Sequence, residues 1–178
     1  MIFILLSLLS AAFLLFLAYA CAFGPQRFAS LPRHVWGGML IGLPCLAWSA
    51  WHACIMLEGG LAWLHPVVWL LVPTIAILAY FYLDYLFSRA LGGFFILAAN
   101  EMIHCSFAYA TPVRSLFSVA CLMMGVMGLF MLGTPWRMRD AIARSGKDKR
   151  LGKCFAVTLT VMAIVIVALS LPALGKKG

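Results

Sequence analysis

Residues 2–23 read IFILLSLLSAAFLLFLAYACAF, an apolar run without one charged side chain. A helix needs about 20 such residues to cross the hydrocarbon core of a bilayer. No basic residue precedes the run, and it is longer than the roughly 7–15 residues of a signal-peptide core. It is therefore expected to be a retained first membrane span.

Five further predominantly apolar stretches of similar length follow at about 35–57, 66–87, 90–110, 115–133 and 154–174. Between them stand helix breakers and charges: Gly24-Pro25, Glu58-Gly59-Gly60, Ser88-Arg89, Thr111-Pro112 and Thr134-Pro135. Strands of a membrane barrel would alternate polar and apolar residues over about 10 positions. These runs are apolar on every face. The composition agrees, with 65% hydrophobic residues, 10% charged residues and a mean hydropathy of +1.06. A soluble domain carries about 25% charged residues. The expected fold is an all-α, polytopic membrane bundle of about six transmembrane helices, with residues 1–178 as one domain.

Charge sets the expected orientation. Of the 13 Lys and Arg, seven lie between positions 137 and 153: Arg137, Arg139, Arg144, Lys147, Lys149, Arg150 and Lys153. With this basic loop, residues 134–153, in the cytoplasm, Arg27, Arg33 and Arg89 fall on the same side. Arg114, Lys176 and Lys177 fall on the other. The positive-inside rule then makes both termini non-cytoplasmic, in an inner or plasma membrane. The basic loop is expected to meet anionic lipid headgroups. No aromatic-interleaved basic groove accompanies the net charge of +8, so nucleic acid is not an expected partner. Other membrane subunits, or further copies of the chain, are.

Several chemistries lack their residues. The six cysteines form no CxxC pair, and there is no GxSxG, HExxH or P-loop sequence. No catalytic residue is assigned, and the sequence leaves open whether any metal is bound. The methionines Met123, Met124, Met127 and Met131 are read as packing residues. Asp84 is read as an interfacial carboxylate paired with Arg89. Pro44 and Pro73 are expected to kink their spans. Phe23-Gly24-Pro25-Gln26-Arg27 and Gly133-Thr134-Pro135-Trp136-Arg137 both close an apolar run, which raises a parallel repeat.

The informative residues are polar ones inside the spans. Asn100, Glu101 and His104 share the fourth span. The second carries Gly38, Gly42, Cys45, Ser49, His52 and Met56 at spacings of three and four, which lines them on one stripe. Both spans run outward in the expected topology, and His52 and His104 each lie roughly 8–9 Å below the outer end. An ionised Glu in hydrocarbon costs about 2.5 kcal/mol or more, so Glu101 needs a partner, a proton or a wet cavity. Three functions fit. The site formed by His52, Asn100, Glu101 and His104 serves transport or ion conduction; or His52 and His104 ligate a b-type haem that passes electrons; or the polar groups hold the chain inside a larger complex. The first is the favoured expectation.

Overall fold

A computed structural model describes residues 2–23, 28, 30–108 and 114–171 of the chain. The described residues form seven α-helices and no strand: α1 (Ile2–Phe23), α2 (Val35–Met56), α3 (His65–Tyr82), α4 (Leu86–Ala108), α5 (Arg114–Gly133), α6 (Trp136–Lys147) and α7 (Lys149–Ser170). All but α6 are long and apolar enough to cross a membrane. The chain is an all-α, multi-pass membrane protein. α4 and α1 are its most enclosed spans, α2 and α3 its least.

Lipid tails are as apolar as the helices, so membrane helices associate where small residues let backbones come close. Gly92 of α4 faces Gly128 of α5: a Cβ on either would stand 2.6 Å from the other's carbonyl oxygen. Ser88 donates to the Met131 carbonyl at 3.3 Å along the same antiparallel seam. On a second side of α4, a Cβ on Gly38 of α2 would lie 2.7 Å from the Phe87 nitrogen, and one on Gly42 would lie 3.5 Å from the Ala90 Cβ. These contacts advance together along both chains, so α2 and α4 run parallel. α1 closes a third side, with Phe13 edge-on to Phe94 at 5.2 Å and Ser10 turned to the Met102 sulfur at 3.8 Å. Leu91, Phe95, Ala98 and Met102 of α4 are wholly enclosed as a result. α3 touches the bundle mainly through α2, and α7 through α1.

The structure changes two expectations. Residues 134–153 are largely helical and not a loop. Met138, Ile142 and Ser145 bury one face of α6, while Arg137, Arg144 and Lys147 stay exposed. That spacing is the pattern of an amphipathic surface helix. Asp148 then accepts a bond from the Arg150 N–H at 3.0 Å, capping α7, so the last span begins at Lys149 and not near 154.

The second change is at the α3–α4 turn. α4 begins at Leu86, so Ser88-Arg89 lies within the helix. Asp84 stands outside it and, among the described residues, makes no ion pair with Arg89. The separation of five residues, with the chain turning at Tyr85 in a left-handed conformation (φ 59°), keeps the two apart.

Pro44 and Pro73 both lie inside continuous helices, α2 and α3. The other expectations are met differently by position. Met124 and Met131 are buried, as packing residues should be, but Met123 is exposed. The first half of the possible repeat, at 24–27, lies outside the described residues, as do Lys176 and Lys177.

Candidate functional site: the seam between α2 and α4

The seam brings together two groups of opposite character. The glycines of α2 hold it against α4 at the basic end, and three turns further on His52 meets Glu101. His52 Nε2 and Glu101 Oε2 are 3.6 Å apart. The side chains are 34% and 28% exposed, so the pair sits at the edge of the bundle and not in its centre. The Cys105 thiol, one turn along α4, donates toward Glu101 Oε1 at 3.9 Å. The Trp48 ring, one turn back along α2, lies 6.1 Å from the imidazole and tilted 40° to it. At 3.6 Å the contact is longer than a direct N–H···O bond of about 2.9 Å, and it is an ion pair when the imidazole carries a second proton. Its protonation states differ in net charge. With one proton between them beyond the neutral imidazole, the pair carries no net charge; without it, a lone carboxylate remains within the span. That lone charge is costly in hydrocarbon and attracts a proton or cation.

Asn100 and His104 are not brought to this pair. Both are exposed, and with Phe107 they form one stripe on the flank of α4. Ser49 of α2 is exposed too. Of the two histidines expected as haem ligands, His52 has its Nε2 3.6 Å from Glu101 Oε2, and His104 is exposed. Among the described residues no three His, Cys, Asp or Glu side chains gather as a metal site would require.

The basic patch divides in two. Arg139 is engaged internally: it holds Asp140 through two nitrogens at 2.9 and 3.0 Å and donates to the Tyr85 hydroxyl at 2.9 Å. The bond to Asp140 pushes its guanidinium above an arginine's already high value. Arg33 donates to the same hydroxyl at 3.0 Å and lies over the Tyr85 ring at 5.0 Å. Two guanidinium groups thus tie α6 and the turn before α2 to the α3–α4 turn, a clamp that the sequence reading missed. The sequence carried no signal of it, since Tyr85 falls inside the apolar run 66–87. Arg137, Arg144, Lys147, Lys149, Arg150 and Lys153 remain exposed. His34 caps α2 by accepting the Gly37 N–H at 3.0 Å.

Comparison with protein-family models, with curated proteins and with solved structures finds no match to this chain.

Proposed function

We propose that the chain is a protomer or subunit of a membrane transport or ion-conducting protein, with the His52–Glu101 pair as its proton- or cation-binding element. The observation that carries this is the 3.6 Å contact between an imidazole and a carboxylate on two membrane-spanning helices. An ionisable pair in that setting is costly to keep and is the ordinary mark of an ion pathway. The exposed polar residues Ser49, on α2, and Asn100 and His104, on α4, favour a chain that works against others. Polar groups facing lipid are unfavourable, and a second copy or another subunit would cover them. On this reading the basic end, with α6, faces the cytoplasm, where Arg and Lys are retained during insertion, and both termini lie on the other side.

The function is tested by flux. Purified protein in sealed liposomes should carry protons or monovalent cations down an imposed gradient, and Glu101→Gln should reduce that flux at least tenfold while the helical content stays unchanged. Flux equal in wild type and variant removes Glu101 from the pathway. The orientation is tested in a cysteine-free background. Lys147→Cys, at the end of α6, should react with an impermeant thiol reagent only from the cytoplasmic side, and Gly60→Cys only from the opposite side. Labelling of both from one side contradicts the topology.

A further inference from the structure

At the basic end, α1, α5 and α7 leave a gap that α6 covers, and within it lies a cavity of about 370 Å³. That size is within the about 300–1,000 Å³ of small-molecule sites. Five of its fourteen lining residues are methionine: Met123, Met127 and Met131 from α5, Met138 from α6 and Met162 from α7. Methionine is flexible and polarizable, and it suits a surface that adapts to a changing apolar guest. The one hydroxyl among the lining residues, on Thr158, is bonded to the Cys154 carbonyl of its own helix at 2.9 Å. The cavity therefore has little to offer water. Its α5 wall reaches the outside of the bundle, where Met123 and Phe130 are exposed.

One charged side chain lines this cavity, Arg137. It lies over the Phe130 ring at 5.7 Å and pairs with no carboxylate among the described residues. Arg137 and Phe155 also line an adjoining groove, of about 570 Å³, that carries Arg144 and Asp140. Asp140 is held by Arg139, so its charge is already balanced. The groove is left with two guanidinium groups that pair with no carboxylate among the described residues, beside an apolar hole. This is the charge and shape complement of an amphiphile with an anionic head.

We infer that the cavity and groove form a specific site for an anionic phospholipid: an acyl chain enters the methionine-lined cavity, and the headgroup phosphate pairs with Arg137 and Arg144. Guanidinium groups bind phosphate through paired N–H bonds, which gives such a site geometry as well as charge. General attraction of a basic surface to an anionic leaflet needs no cavity and depends only on charge. The two differ in what they require, and the inference uses neither His52 nor Glu101.

The test is lipid retention by the full chain in neutral detergent, read by native mass spectrometry. Phosphatidylglycerol and phosphatidylcholine with identical acyl chains are supplied together. The wild type should retain phosphatidylglycerol several-fold over phosphatidylcholine. Arg137→Gln with Arg144→Gln should abolish the preference, whereas Lys149→Gln with Arg150→Gln, which removes equal charge away from the cavity, should keep it. Met127→Trp, filling the hole, should lower retention of both lipids. Glycerol phosphate, a headgroup without chains, should not displace the bound lipid. Equal retention of the two lipids, equal loss in both double variants, or displacement by glycerol phosphate would each overturn the site. If Met127→Trp does not fold, the paired arginine variants decide the matter alone.

Discussion

Gly128→Val is expected to prevent stable assembly of the bundle. A Cβ at 128 would stand 2.6 Å from the Gly92 carbonyl oxygen and 3.1 Å from both the Phe95 Cβ and an Ile96 side-chain carbon. The nearest of these is backbone and cannot swing aside, so α5 must move away from α4. Overpacking of a filled interior costs about 1–3 kcal/mol when side chains can adjust, and here the seam between two central helices opens. The expected result is loss of monodisperse protein in detergent, or a fall in the thermal midpoint of many degrees. Gly133→Ala provides the control, because nothing stands within 4 Å of its would-be Cβ. Equal stability of the two variants would show that α4 does not organise the bundle.

The second large effect concerns His52. His52→Ala removes the one basic group in ion-pair distance of Glu101 among the described residues. The carboxylate then stays in the span without this partner, at a cost of about 2.5 kcal/mol if it remains ionised. Glu101→Gln on the same background removes that charge. The double variant should therefore recover much of the stability lost by His52→Ala, so the two changes are strongly non-additive. Thermal unfolding of the four proteins in one detergent measures this. Simple additivity would mean that the 3.6 Å contact carries no coupling.

Much of the architecture was legible because the membrane imposes it. Each apolar run had to be about one bilayer long, and the first, second and fifth helices start and end within a residue or so of where the runs do. The Gly38–Gly42 spacing is one that lets helices come close, and Gly38 does so against α4. α6 was hidden by its charge. Seven cations in a short stretch read as a loop, although Met138 and Ile142, four residues apart, were marking a buried face.

The depth of the polar residues could be counted along the sequence, but their direction could not. His104 lies three residues beyond Glu101, about 60° short of a full turn. That angle takes it off the α2 seam and onto the flank, where it is exposed. Which side of α4 meets α2 is decided by Gly38 against Leu86 and Phe87, a contact between distant parts of the chain. The same holds for Gly92 and Gly128, and for the clamp at Tyr85. None of these pairs is visible in local spacing.

The most direct test of the central claim, that Glu101 is the ion-carrying group, combines chemical modification with flux. A hydrophobic carbodiimide reaches carboxyl groups inside membranes and couples to them covalently. Treated protein in liposomes is assayed for flux and then digested, and the modified peptides are quantified by mass spectrometry. The account predicts that flux falls in proportion to modification at Glu101, and that Glu101→Gln protein acquires no label in the peptide spanning that position. Undiminished flux from protein fully modified at Glu101 would contradict it.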